Sequence, residues 1–67
     1  MNIEYRVIAL DNDGYEVAGG CIWDTLRQAK VNAKLLVAEK EAIAAGMTKV
    51  EIRDRLDDCV ADYFVKG

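Results

Sequence analysis

Residues 48–65, Thr48-Lys49-Val50-Glu51-Ile52-Arg53-Asp54-Arg55-Leu56-Asp57-Asp58-Cys59-Val60-Ala61-Asp62-Tyr63-Phe64-Val65, fit two different backbones, and the choice between them decides the fold. As strands, Val50 and Ile52 alternate with Lys49, Glu51 and Arg53. A turn then runs through Arg55-Leu56-Asp57-Asp58, and Cys59, Ala61, Tyr63 and Val65 share a face. As a helix, Thr48 is the N-cap with Glu51 three residues on, and Ile52, Leu56, Cys59, Val60 and Tyr63 form an apolar stripe. Two considerations favour strands. Asp54, Asp57, Asp58 and Asp62 would all sit inside a short helix, where aspartate is a poor former. A single hairpin elsewhere in the chain would also be marginal in water without further strands or a packed helix.

Upstream, residues 2–9 alternate, with Ile3, Tyr5, Val7 and Ala9 on one face and Glu4 and Arg6 on the other, which predicts a half-buried strand. Asp11-Asn12-Asp13-Gly14 is a dense turn signal. A second strand comes next, with Tyr15, Val17 and Cys21 on one face and Glu16 and Ala18 on the other. Gly19-Gly20 interrupts it, as a bulge or a close approach by the next helix requires. From Thr25 to Ala45 the spacing predicts one long helix, capped by Asp24 or Thr25 with Gln28 completing a capping box, and closed by Gly46. Trp23 is expected to pack beneath its first turn. The expected fold is a two-layer α+β single domain over residues 1–67, an antiparallel sheet packed on one long helix. Its order is ββαββ, with ββαα the alternative.

Composition narrows the chemistry. The chain is 52% hydrophobic and 31% charged with both signs mixed, as in globular proteins. It has no proline and shows no linker, low-complexity segment or internal repeat. Met1-Asn2-Ile3-Glu4 has neither the basic nor the apolar region of a secretory signal, and no run reaches membrane-spanning length, so a cytoplasmic protein is expected. There is no histidine and no serine, which removes the commonest general base and any serine-centred triad. Cys21 and Cys59 lie far apart, outside metal-ligand spacing, and read as buried, inert thiols. Asp11 and Asp13 belong to turn chemistry rather than a calcium loop, and Asp54, Asp57, Asp58 and Asp62 to a solvated acidic turn. Gly19-Gly20 lacks phosphate-loop spacing, and Asp24 would repel an anion there. Neither an enzyme, a metal site, a cofactor nor a small-molecule substrate is expected.

The helix carries the candidate surface. Leu26, Ala29, Ala33, Leu36, Val37 and Ala44 form one apolar stripe; Val31, Leu35, Ala38, Ala42 and Ala45 form another, roughly opposite. A surface helix on a small domain needs one such stripe. The second marks Val31, Leu35, Ala38 and Ala42 as contacts for a protein partner or a second copy. Arg27, Lys30 and Lys34 make a short basic row, the alternative being a weak nucleic-acid site. Glu41 near that line and the net charge of −3 argue against it.

Asp24-Thr25-Leu26-Arg27-Gln28-Ala29-Lys30, the glycine-ended helix, Thr48-Lys49-Val50-Glu51-Ile52-Arg53-Asp54 and Cys59-Val60-Ala61-Asp62 together resemble small accessory proteins encoded by phages and prophages. The resemblance spans residues 24–65 and rests on a helix opening and a strand pattern, not a functional motif. It implies a ββαββ fold. Because some similar proteins bind and inhibit host defence complexes, it also implies a non-catalytic role in protein interaction. No residue-level site carries over.

Overall fold

The alternation in residues 48–65 resolves into strands. A computed structural model describes residues 4–66, with β1 Tyr5–Leu10, β2 Glu16–Trp23, α1 Leu26–Leu36, α2 Lys40–Ala44, β3 Lys49–Arg53 and β4 Cys59–Phe64. The strand expected to open at Ile3 begins, for that residue, outside the described range. The sheet is antiparallel with order β2-β1-β3-β4, so the middle strands belong to different hairpins. Thr48 is not a helix cap: its hydroxyl donates to the Leu10 carbonyl at 3.4 Å, joining β3 to β1.

Helices cover one face of the sheet. Val7, Ala9, Val50 and Ile52 are fully buried there against Ala29 and Ala33 of α1, with Tyr5, Ala61 and Tyr63 at the margins. The alanines let α1 approach closely, while its longer Leu26 and Leu36 pack at the periphery. On the other face Ile8 and Leu10 are also buried. Leu10 lies in register between Glu16 and Lys49, and Ile8 between Gly19 and Glu51.

The single long helix expected over residues 25–45 is two. Its start is as read: the Thr25 hydroxyl accepts the Gln28 N–H at 3.2 Å. After Leu36 the chain tightens, with Ala38 N–H donating to Leu35 O and Glu39 N–H to Leu36 O, and Glu39 is extended at φ −72°, ψ 118°. A straight 21-residue helix would run about 31 Å, whereas the five- and six-residue strands beneath it reach about 17–20 Å. The break turns α2 back over the core, where Ala42 and Met47 are buried. Gly46, at φ 108°, ends α2: its N–H donates to Ile43 O and that of Met47 to Ala42 O, a Schellman closure.

The two hairpins are built alike, contrary to the expectation of no repeat. Asp11 Oδ1 accepts the N–H groups of Asp13 and Tyr15, both at 2.9 Å. Asp54 Oδ1 accepts those of Leu56 and Asp58, at 2.9 and 3.0 Å. The left-handed residue is Gly14 (φ 86°) in one loop and Asp57 (φ 66°) in the other. Register shifts leave Val17 and Val60 as the extra residues of matching bulges. Equivalent positions are a constant 43 residues apart, as Asp54 is from Asp11, and a local twofold runs through the Ile8–Glu51 pair. Identity survives at few of these positions, among them Val7/Val50, Asp11/Asp54, Val17/Val60 and Ala18/Ala61, so the repeat is not visible by eye.

The bulges also correct two face assignments. Val17 and Ala18 both pack on the core, while Tyr15 and Cys21 are exposed. Cys59 pairs with Arg53 and leaves the face that Ala61 and Tyr63 keep. Gly19 is held tight: a Cβ there would lie 2.7 Å from Val7 O and 3.0 Å from Ile8 Cα, so the close approach is by β1, not by the helix.

Candidate functional site

The second apolar stripe of the helix is divided among three environments. Val31 and Leu35 of α1 are open, 57% and 68% exposed. They face the β2 side, sharing a cleft of about 260 Å3 with Trp23, Arg27, Gln28 and Asn32. A contiguous hollow of about 330 Å3 reaches from Leu35 to Gly19 and Cys21 of β2. Ala38, also exposed, turns toward β4 instead. Ala42 is buried in the core and is withdrawn from any contact surface, because the break at Ala38–Glu39 resets the helical phase. The same reset leaves Ala44, expected inside, exposed.

β2 adds a second feature on that side. It is an eight-residue edge strand, so its outer backbone groups have no sheet partner among the described residues. The extra residue at Gly20 leaves Cys21 on the Leu35 hollow and Trp23 on the adjoining cleft. Trp23 packs on the core, as expected, but its indole N–H is buried without an acceptor among the described residues. Such an orphan costs about 1–3 kcal/mol relative to a satisfied donor.

Arg27, Lys30 and Lys34 are all exposed along α1. They do not converge: Arg27 lines the Trp23 cleft and Lys34 the hollow toward β4. Neither forms an ion pair among the described residues.

On the opposite face of the sheet, Lys49, Glu51, Arg53, Asp57 and Arg6 form a chain of ion pairs. Glu51 takes Lys49 Nζ at 2.9 Å and Arg53 Nη2 at 2.8 Å, and Asp57 bridges Arg53 at 3.3 Å to Arg6 at 3.2 Å. The Lys49 hydrogen bond, foremost, and those from Arg53 hold the Glu51 carboxyl below its usual range, against the opposing effect of burial. The same contact with Glu51 pushes the Lys49 ammonium up. The acidic turn is thus partly structural: Asp54 ties the loop and Asp57 crosses to the first hairpin.

Both thiols are free and exposed, not buried as expected: the Val60 bulge turns Cys59 off the core face, and Cys21, in register with Val7, sits on the uncovered edge strand. Partial burial of its sulfur, then the nearby charges of Glu51 and Asp62, push the Cys59 thiol up, the opposite of what a nucleophilic cysteine needs. Among the described residues no group of three or more Cys, Asp or Glu side chains is gathered for a metal, and no helix is long and apolar enough to cross a membrane. Comparison with known proteins finds no matching family model, no similar curated protein and no similar solved structure.

Proposed function

We propose that this chain is a non-catalytic protein-interaction module, and that its partner docks on the side formed by α1 and β2. The observation that carries this reading is the pairing of two unsatisfied surfaces. Val31 and Leu35 stand exposed beside the free edge of an eight-residue strand. Either alone is ordinary on a small protein. Together they offer the two terms of strand addition, backbone hydrogen bonds from the edge and apolar burial from the flank. The setting we propose, a phage accessory factor acting on a host protein in the cytoplasm, rests on the resemblance of residues 24–65 alone.

Site-specific photocrosslinking tests the surface. A crosslinking amino acid at Leu35 is expected to give a discrete protein adduct that excess unlabelled wild-type chain competes away and Leu35→Asp does not. The same group at Arg55, on the charged hairpin end, is expected to give none. An adduct with the mass of two copies would identify self-association through this surface. Equal labelling from both positions would refute the proposal.

A further inference from the structure

A separate concavity lies between the C-terminal end of α1, α2 and the end of β4. It measures about 490 Å3, and Val37, Ala38, Ile43, Tyr63 and Val65 form its walls. Among the described residues, its charged lining consists of Lys34 from α1 and Lys66 from the segment after β4. Other clefts differ in this respect. The one at the hairpin ends mixes Glu4, Asp54 and Asp57 with Arg6 and Arg55. The two α1–β2 hollows contain Arg27 in one and Glu39 in the other. Neither Lys34 nor Lys66 has a carboxylate within 4.0 Å among the described residues. In a chain with twelve acidic and nine basic residues, an apolar hollow bordered, among the described residues, by two unpaired cations and no acidic side chain is a segregated charge pattern.

We infer that this cleft binds a small amphipathic carboxylate. Its hydrocarbon part lies between Ile43 and the Tyr63–Val65 wall, and its carboxylate is met by Lys34 and Lys66. The volume falls in the range of small-ligand sites, about 300–1,000 Å3, with the expected apolar lining and few polar groups. A polyphosphate would satisfy the lysines but leave the walls uncovered; an alkylamine would fill the walls but meet like charge. The inference does not depend on the α1–β2 surface, since the two sites share no lining residue.

The test is an NMR titration of the full isotope-labelled chain with decanoate, below its micelle concentration. Decanol, decylamine and inorganic phosphate serve as matched controls. Saturable shifts are expected at Ala38, Ile43 and Tyr63, with decylamine at least about tenfold weaker than decanoate. Lys34→Glu with Lys66→Glu is expected to weaken decanoate about tenfold and to favour decylamine; Lys34→Gln with Lys66→Gln gives an intermediate loss. Leu35→Asp is expected to leave decanoate binding unchanged, which keeps this result distinct from the fate of the partner surface. No saturable shift, shifts centred on Val31 and Leu35, or equal binding of amine and carboxylate would overturn the inference.

Discussion

Replacing Leu35 by alanine separates what this side chain does for its own fold from what it offers a partner. Full burial of a leucine side chain is worth about 1.5–3 kcal/mol, in proportion to the area removed from water. At 68% exposed, Leu35 has realised about a third of that within its own chain, so Leu35→Ala is expected to cost about 0.5–1 kcal/mol of folding stability. The unrealised two thirds, about 1–2 kcal/mol, is available only at an interface, and its loss is expected to weaken binding about five- to thirtyfold. Urea unfolding followed by Trp23 fluorescence measures the first quantity. The second is read from the excess of Leu35→Ala needed, relative to wild type, to compete away the Leu35 photocrosslink. A variant that competes as well as wild type would refute the docking surface. A stability loss well above 1 kcal/mol would show that Leu35 serves the fold instead.

Gly19 and Gly20 both have positive φ, but only Gly19 faces a neighbouring backbone, so alanine at Gly20 is expected to cost the conformational strain alone, about 1–2 kcal/mol. Gly19→Ala adds a contact of 2.7 Å with Val7 O and is expected to leave the chain largely unfolded, since a core of this size supplies about 3–5 kcal/mol in all. Equal circular-dichroism melts for the two would contradict the bulge geometry. At Asp57, glycine relieves the φ of 66° while losing only exposed ion pairs, so Asp57→Gly should unfold within about 0.5 kcal/mol of wild type and Asp57→Ala about 1–2 kcal/mol below Asp57→Gly. Indistinguishable denaturation curves for glycine and alanine would rule this out. For Glu51 the folded-state pKa is depressed, so its stabilisation is present above the ordinary carboxylate value of 4.5 and is lost as pH falls through the lower folded value. Urea midpoints measured between about pH 6 and 3 should therefore fall less steeply in Glu51→Gln than in wild type, and parallel acid limbs would argue that the Glu51 ion pairs with Lys49 and Arg53 contribute nothing.

The architecture was readable where local pattern and global layer agree. Alternation in residues 49–53 and the Thr25–Gln28 cap each needed only neighbours in sequence. The helix break did not announce itself, because Val37-Ala38-Glu39 contains neither glycine nor proline and its cause is the length of the sheet below. A single phase carried across that break puts Ala42 on the surface and Ala44 inside, the reverse of what the fold has, while Val31 and Leu35, before it, lie exposed. Cys59 departs from expectation for a similar reason, since the one-residue bulge at Val60 reverses the face of the strand residues beyond it, whereas Cys21 is exposed because β2 lies at the sheet edge. The cleft bounded by Lys34 and Lys66 joins α1 to the segment after β4 across tertiary space, and no spacing rule brings such residues together.

The local twofold through Ile8 and Glu51 also bears on assembly. Where a hairpin meets its own likeness, the partner it recognises is available on every other molecule. What keeps the seam within one chain is the tether of residues 24–48, which holds the second hairpin near the first at high effective concentration. Loosening that tether, or crowding the molecules, would favour reciprocal exchange of hairpins between chains, yielding a swapped dimer with the sheet order of the monomer.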